Sequence, residues 1–190
     1  MTTITWPSGL HPRAFSMRLS TVQRVHASPL GGSEQAVDLL NDRWLISLEI
    51  PASRHTTMAA LEAFIAAMRG QTNTVSLYHF GAPTPRGTLA SATAASAAQG
   101  ASAVVLTGIG TLKAGDLLGI SGLLLQVASD VTVGTGTTVP IVNRLRTAVS
   151  GTVTLSQPAV TCRLVGTPSV QYLGGAFTDA VPLEFSEAIA

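Results

Sequence analysis

The residues that could perform acid–base or metal chemistry are few in this sequence, and their spacing suits neither. The chain of 190 residues has four histidines. They are His11, His26, His55 and His79. No two of them have the spacing of metal ligands on one face of a helix, as in His-x-x-x-His. We therefore expect no metal site, and we interpret His79, between Tyr78 and Phe80, as a surface or interface imidazole.

Cys162 is the only cysteine, which excludes an intrachain disulfide. A catalytic thiol needs a histidine and surroundings that lower its pKa. The neighbouring residues in the sequence supply neither. We therefore expect Cys162 to be a small core residue of a strand.

The carboxylates and the glycine-rich segment also fail to form a known catalytic pattern. A glycosidase needs two carboxylates on either side of the scissile bond. Ten acidic residues could still form such a pair in space, but no aromatic-rich sugar platform surrounds any of them in the sequence. The Gly-Thr-Gly-Thr segment at 134–137 lacks the lysine and the following helix of a phosphate-binding loop. We expect a protein that is not an enzyme and needs no cofactor.

The chain carries little charge for its apolar content. Apolar residues make up 46% of it and charged residues 11%, whereas charged residues are usually about 25%. Such a surface must consist of Thr, Ser, Gly and Ala or be covered by neighbouring molecules, so the composition favours an assembly protein. The net charge is +1 and no run of Lys or Arg occurs, which gives little support to nucleic-acid binding.

Neither a targeting segment nor a membrane span is indicated. Residues 1–7 have no basic start and no apolar run of signal-peptide length. Glycines and charges interrupt the longest apolar candidate, residues 104–133. We expect a soluble protein that is synthesised in the cytoplasm and has no membrane partner.

The clearest secondary-structure pattern is a strand, a helix and a strand within residues 44–80. Residues 44–50 alternate apolar and polar side chains, which is typical of a half-buried strand. Apolar residues then recur with helical spacing at Met58, Leu61, Ile65 and Met68. We predict one helix over about 53–69, with Ser53 as its N-cap and Gly70 just past its end.

The rest of the sequence predicts short strands in two regions. Residues 81–87 contain two prolines between two glycines, which is typical of a linker. Short strands with glycine turns then follow from residue 104, and they favour a small barrel. We therefore predict a mainly β protein with one α-helix. Residues 1–87 and 158–190 form one body in this prediction, and residues 88–157 form an inserted small β-barrel.

Two arginines are candidates for contacts between subunits. Arg144 and Arg146 lie on one face of a strand that we predict over residues 139–145. They could contact carboxylates of a neighbouring subunit or DNA that passes through a lumen. A solvated strand face explains the pattern equally well, so these alternatives stay open.

The aromatic residues of the main body supply the other interface candidates. We expect most of these rings to lie in the core. Trp6 is the best candidate for an anchor between subunits, because it lies next to Pro7 in a short N-terminal segment. Together with His79 and Phe80, and with the two arginines, it completes the predicted subunit interface.

An ordered set of short pieces along most of the chain resembles a known family. The pieces are Thr3–Pro7, Ser28–Gly32, Asp42–Trp44, Leu61–Phe64, Arg69–Gln71, Leu112–Leu117, Gly122 with Val127, Asn143–Arg146, Leu183–Phe185 and Glu187–Ile189. In this order they resemble the small distal-tail and minor-tail proteins of tailed bacteriophages. No single piece is a strong motif, and the resemblance rests on their order.

The resemblance implies a structural role. Copies of such a protein form a ring, typically a hexamer, at the distal end of the tail tube. The ring joins the tube protein to the baseplate hub and to the tail fibre or receptor-binding proteins. The family's strand–helix–strand core is similar to the tail-tube fold, which implies a tail-tube-like β-sandwich packed by a helix. In the tail-tube fold, the sheets join between subunits around a lumen. The resemblance also implies that this protein is part of the virion, at the tail tip.

Three other interpretations stay open. The chain could be a minor tail or head-completion protein at another position in the virion. It could also be a carbohydrate-binding module whose inserted barrel contacts the host surface. Longer members of the family carry a carbohydrate-binding-like β domain where this chain has only a small insert. A cell-wall hydrolase is the least supported alternative.

Overall fold

A computed structural model describes residues 2–27, 31–39, 41–174 and 176–189. The turn that the sequence predicts over residues 28–33 lies partly outside the described residues, and so does the Ser28–Leu30 part of the family resemblance. In the described part of the chain, no helix is both long and apolar enough to cross a membrane.

The described residues form eighteen strands and one helix. The first strands and the helix are β1 (Thr3–Ile4), β2 (Ala14–Ser20), β3 (Gln23–Ala27), β4 (Glu34–Asp38), β5 (Arg43–Ile50), α1 (His55–Met68) and β6 (Thr74–Tyr78). Eight strands follow, β7 (Ala92–Ala97), β8 (Ala103–Gly108), β9 (Gly110–Leu112), β10 (Leu117–Ile120), β11 (Leu123–Gln126), β12 (Val131–Val133), β13 (Thr137–Pro140) and β14 (Val149–Thr154). The last are β15 (Ala159–Val165), β16 (Tyr172–Leu173), β17 (Phe177–Thr178) and β18 (Val181–Glu187).

The structure confirms the prediction of a mainly β protein with a single helix in its described part. The chain divides into two compact units. Residues 1–18, 44–83 and 159–190 form the first, called here the sheet unit. Residues 19–43 and 84–158 form the second, the barrel unit. The predicted domain boundaries, with residues 88–157 as an insert, stay a prediction.

The sheet unit contains one six-stranded sheet with the strand order β1-β6-β15-β18-β5-β2. The alternation in β5 buries Trp44, Ile46, Leu48 and Ile50 on one face. β18 is antiparallel to β5 and places Leu183 opposite Leu48 and Phe185 opposite Ile46. One face of the sheet is therefore a continuous apolar surface, as the sequence pattern predicts for a half-buried strand.

Helix α1 buries its apolar side chains and has Gly70 just past its C-cap, as predicted, but its N-cap differs from the prediction. The buried residues are Met58, Leu61, Phe64 and Met68. Burial of each such side chain contributes about 1.5–3 kcal/mol. The N-cap is Arg54, without a side-chain cap, because the Ser53 hydroxyl donates to the carbonyl of Pro51 instead. The predicted N-cap was therefore wrong by one residue.

The sheet of the sheet unit curls. β2 and β6 are separated by three strands in the sheet order. Nevertheless Phe15 of β2 contacts the two residues that follow β6, with ring centroids 4.8 Å from His79 and 5.5 Å from Phe80. Such contacts between distant strands require a strongly curved sheet.

The barrel unit contains a second six-stranded sheet, with the order β11-β10-β14-β7-β8-β13. Its two end strands meet just past their ends, where Val127 and Ile141 form a β-bridge. The N–H of Val142 donates to the Gln126 carbonyl at 2.8 Å, and the N–H of Ala128 donates to the Pro140 carbonyl at 2.9 Å. These bonds close the curled sheet into a small barrel.

The barrel encloses an aliphatic core. This core consists of buried side chains from the barrel strands and from the loops between them. Its largest fully buried members are Leu106, Leu112, Leu118 and Ile120. Branched aliphatic residues suit such a closed pleated surface, because they pack well in short strands.

A buried carboxylate fixes the point where the chain enters the barrel. Asp116 is 4% exposed. Its oxygens accept the backbone N–H groups of Arg86 at 2.9 Å, Gly87 at 3.2 Å and Lys113 at 2.8 Å. A Cβ on Gly87 would collide with the carbonyl of Thr111, so this close approach requires glycine.

The strand predicted over residues 139–145 ends early, at Pro140. Past this point the amide of Asn143 bonds to β11. Its Oδ1 accepts the N–H of Gln126 at 3.0 Å, and its Nδ2 donates to the carbonyl of Leu124 at 3.0 Å. A side chain thus continues the contact with β11 that the N–H of Val142 begins.

Candidate interaction surfaces

The Cys162 thiol lies in the core of the sheet unit. It is 0% exposed, which confirms the predicted core position. Burial, and then the neighbouring Glu187 carboxylate, raise the pKa of the thiol to about 12. A buried thiol with this pKa is protonated at neutral pH and does not act as a nucleophile.

In the described ranges, no three His, Cys, Asp or Glu side chains lie together in a way that could hold a metal ion. The buried carboxylate of Asp116 accepts hydrogen bonds from three backbone N–H groups. Its oxygens therefore organise the chain around it.

Trp6 packs within its own sheet unit. Its ring centroid is 5.2 Å from that of Phe64 on α1, 5.9 Å from Phe80 and 6.4 Å from Phe185 on β18. Its indole Nε1 donates to the carbonyl of Leu10 at 3.0 Å. These contacts tie the helix to the sheet, and the predicted role of Trp6 between subunits stays a prediction.

His79 and Phe80 belong to the same aromatic group as Trp6. Phe80 contacts Tyr78 with ring centroids 4.6 Å apart. The Nδ1 atom of His79 is buried and has no hydrogen-bond partner in the structure. Burial lowers the pKa of the imidazole from its ordinary value of 6.5. The ring therefore favours the neutral form, which suits an apolar surrounding.

Arg144 and Arg146 do not lie on a strand, because β13 has already ended. Within the barrel unit, the Nε of Arg144 lies 3.3 Å from the Asp38 carboxylate. The guanidinium of Arg146 donates to the carbonyl of Asp42 at 2.8 Å. The prediction of one strand face was wrong, and both arginines contact residues of the same chain.

Asp42 is the buried partner in this arginine cluster. Burial first, and the Asp38 charge second, raise the pKa of its carboxyl, against the lowering effects of Arg144 and Arg146. One of its oxygens is buried without a hydrogen-bond partner in the structure. Within the barrel unit, the cluster connects the end of β4 and residue 42 to the segment after β13.

The barrel strands have an outer surface without charge. None of the eight strands β7 to β14 contains Asp, Glu, Lys or Arg. Across β14, β7 and β8, Thr152 pairs with Thr93, and Thr93 pairs with Thr107. These three side chains are exposed. They form a row of hydroxyl and methyl groups that any uncharged partner could cover.

β3 and β4 form a separate two-stranded ribbon, called here the arm. All ten residues of its two strands are exposed. The exposure covers both faces, because successive residues of a strand point to opposite sides. The exposed residues include Val25 at 53% and Val37 at 39%.

A second exposed hairpin, β16–β17, lies beside α1 in the sheet unit. Tyr172, Leu173 and Phe177 are each about half exposed. The hydroxyl of Tyr172 donates to Glu62 at 2.6 Å, and the Nε2 of His55 lies 3.2 Å from the carbonyl of Phe177. The hairpin is thus fixed to the helix while part of its apolar surface faces solvent.

The structure brings the predicted interface residues together in part. Trp6, His79 and Phe80 share one aromatic group in the sheet unit, whereas Arg144 and Arg146 share the cluster in the barrel unit. Sequence reasoning predicted short extended segments around a turn at 28–33 but did not identify them as an exposed ribbon, and it did not identify the hairpin β16–β17. Residues 23–27 show no apolar alternation in the sequence, and this was the available signal for a ribbon exposed on both faces.

No protein-family model and no curated protein matches this sequence.

Proposed function

We propose that this chain is a structural protein of a tailed bacteriophage virion. It forms a ring at the distal end of the tail tube and links the tube to the baseplate hub and the receptor-binding parts. The proposal rests above all on the eight barrel strands without a charged residue. A free-standing protein usually keeps charges on exposed strands, whereas an assembly subunit buries such surfaces against neighbours.

The fold supports this proposal at a coarse level. The protein is mainly β with a single helix in its described part, which agrees with the fold that the family resemblance implies. The tail-tube-like character, the hexamer and the tail-tip position come from the resemblance alone.

A ring requires contacts of one kind. Each copy must present one surface to the copy before it and a different surface to the copy after it, and the rotation between copies must close. The chain has unlike surfaces that could serve as the two sides of such a contact, among them the uncharged outer surface of the barrel strands and the arm. DNA is then at most a passing occupant of the lumen, and no membrane partner is required.

The carbohydrate-binding alternative has less support. Residues 84–158 contain no Trp, Tyr, Phe or His. Sugar-binding surfaces commonly use aromatic rings to cover the apolar face of a sugar. The barrel therefore lacks the side chains that this alternative would use.

Electron microscopy and light scattering of the purified protein, alone and with tail-tube and hub proteins, test the proposal. We expect rings. Thr93→Lys places a charge in the middle of the uncharged barrel face and should weaken assembly, whereas Thr93→Ser keeps the face neutral and should not. A wild-type protein that stays monomeric with both partners present would end the proposal.

A further inference from the structure

The arm has a fixed internal register. Gln23 pairs with Asp38, Val25 with Ala36, and Ala27 with Glu34. At its base, the N–H of Leu39 donates to the carbonyl of Val22 at 3.1 Å. Hydrogen-bonded and non-hydrogen-bonded pairs alternate along an antiparallel ladder.

This alternation decides which backbone groups point outward. The pair of Val22 and Leu39 is hydrogen-bonded, so Val25 and Ala36, three positions further along the ladder, form a non-hydrogen-bonded pair. Their N–H and C=O groups therefore point away from each other, toward the two outer edges of the arm. Each edge is a template for a further strand.

The arm also lacks a covering layer of its own. All ten strand residues are exposed, and a lone two-stranded hairpin is marginally stable in water. Within the barrel unit, the ion pair of Asp38 with Arg144 holds it at its base. Pairing with further strands would supply the missing stabilisation.

The charges of the arm decide which edges can pair. β4 contains Glu34 and Asp38, and β3 contains Arg24 and no acid. If two β4 strands paired over their full length about a two-fold axis, Ala36 would face Ala36, and Glu34 would face Asp38. Like charges directly opposite each other destabilise a sheet.

The two remaining full-length pairings differ in the strand edges that they leave unpaired. If two β3 strands paired in the same way, Arg24 would face His26, which is unfavourable when the imidazole is protonated, and both β4 edges would stay unpaired. Pairing of β3 with β4 of another copy repeats the arm's own register instead. No like charges then face each other, and in a closed ring no edge is left unpaired.

We propose that the arm pairs edge to edge with the arms of neighbouring copies, β3 of one copy with β4 of the next. Val25 then lies opposite Ala36 of the next copy, and Arg24 lies opposite Val37. This inference rests on the proposed ring and deepens it, because it names the element and the register of one contact.

Disulfide trapping tests the register directly. We would prepare Arg24→Cys and Val37→Cys as separate proteins, since both positions are exposed, and oxidise each alone and the two mixed. The mixture should give covalent dimers, because opposite residues of a non-hydrogen-bonded pair lie within disulfide reach. The buried Cys162 should stay unreacted.

The other outcomes of the trapping experiment contradict the proposal. Dimers in the Arg24→Cys or the Val37→Cys protein alone would show pairing of like edges. A mixture without dimers, under conditions where the wild-type protein forms rings, would show that the arms do not pair.

A proline variant tests whether the contact contributes to assembly. Val25→Pro removes an outward N–H without removing a bond of the arm's own ladder, and Val25→Thr keeps both the N–H and the β-branched shape. We expect the proline variant to lose ring assembly and the threonine variant to keep it, with unchanged far-ultraviolet circular dichroism in both. Rings of Val25→Pro would overturn the arm contact and leave the ring proposal intact, whereas a wild-type protein without rings would overturn both.

Discussion

The sheet unit and the barrel unit solve the same packing problem with different residues. All the aromatic residues, two Trp, two Tyr and five Phe, lie in the sheet unit. The hydrophobic core of the barrel unit consists of aliphatic residues. A closed barrel brings its own strands face to face across a short distance, so Val, Leu and Ile fill it. A curled sheet covered by one helix leaves wider gaps, and rings such as Trp6 and Phe185 fill them.

The strands of the sheet unit differ in charge from strands β7 to β14 of the barrel unit. Strands of the sheet unit contain charged residues such as Arg18, Glu49, Arg163 and Glu184. Strands β7 to β14 contain none, and the barrel unit carries charges in its loops and in the arm instead. Since both tryptophans lie in the sheet unit, their fluorescence reports on that unit, whereas circular dichroism reports on both. The contrast between the units can therefore be tested by mutation.

Phe185→Ala should have the largest effect on stability. The Phe185 ring is 1% exposed and contacts Trp6. Its removal leaves a cavity in the sheet unit, which typically costs about 3–5 kcal/mol of the free energy of unfolding. Chemical denaturation followed by tryptophan fluorescence should show the loss. A loss below about 1 kcal/mol would contradict the view that large rings fill this core.

Asp116→Ala should destabilise the barrel unit more than the sheet unit. It leaves the N–H groups of Arg86, Gly87 and Lys113 without their acceptor. A fully buried unpaired donor costs about 1–3 kcal/mol, and these partly buried donors should each cost less. We expect the midpoint of the transition seen by circular dichroism to move to a lower denaturant concentration, and the midpoint seen by tryptophan fluorescence to move less.

Asp130→Ala is the matched control for this variant. Asp130 is an exposed carboxylate that pairs with Lys113 at 2.9 Å and accepts the N–H of Ala114 at 2.9 Å. Both contacts are exposed to solvent, so its loss should change both transitions little. If Asp116→Ala behaved like this control, the buried carboxylate would not organise the barrel entry.

Much of the sheet unit's local structure could be predicted from the sequence. The alternation of residues 44–50 and the helical spacing of Met58, Leu61 and Met68 both describe buried faces correctly. Ile65, the remaining residue of the predicted helical stripe, is only partly buried, and its neighbour Phe64 is buried instead. The choice between two adjacent apolar residues depends on Trp6, which is distant in the sequence.

The candidate surfaces were harder to predict, because they depend on contacts between distant residues. Beyond the early end of β13, the contact of the chain with β11 depends on Asn143 and its bonds to residues 124 and 126. The contacts of Arg144 and Arg146 depend on a chain segment about a hundred residues earlier. A strand pattern in the sequence contains no information on such side-chain contacts.

His79→Phe should change how the stability of the sheet unit depends on pH. Burial lowers the pKa of His79 below 6.5 in the folded state, so the unfolded state binds the proton more tightly. The wild-type protein should therefore lose stability as the pH falls from about 6.5 toward the lower folded value. Phenylalanine fits the aromatic group and cannot titrate, so the variant should lose this part of the dependence.

Denaturation midpoints between pH 7 and pH 5, followed by tryptophan fluorescence, measure this effect. His26→Gln is the control, because His26 lies on the exposed arm of the barrel unit, outside the unit that contains both tryptophans, and this change should leave the midpoints seen by fluorescence as in the wild type. An identical pH dependence of His79→Phe and wild type would show that the half-buried surroundings of the imidazole do not disfavour its protonation.

Arg144→Ala should have the smallest effect on stability. It tests whether Arg144 holds the arm through its exposed ion pair or through buried packing. The ion pair of Arg144 with Asp38 joins two side chains that are 50% and 43% exposed. Exposed pairs contribute about 0.2–1 kcal/mol, and salt screens them. Thermal unfolding at low and high salt should therefore show a small loss that salt removes, whereas Arg24→Ala should show none. A larger loss of stability that is the same at low and high salt would mean that Arg144 holds the arm through packing. Its contribution would then resemble that of the buried groups of the barrel unit.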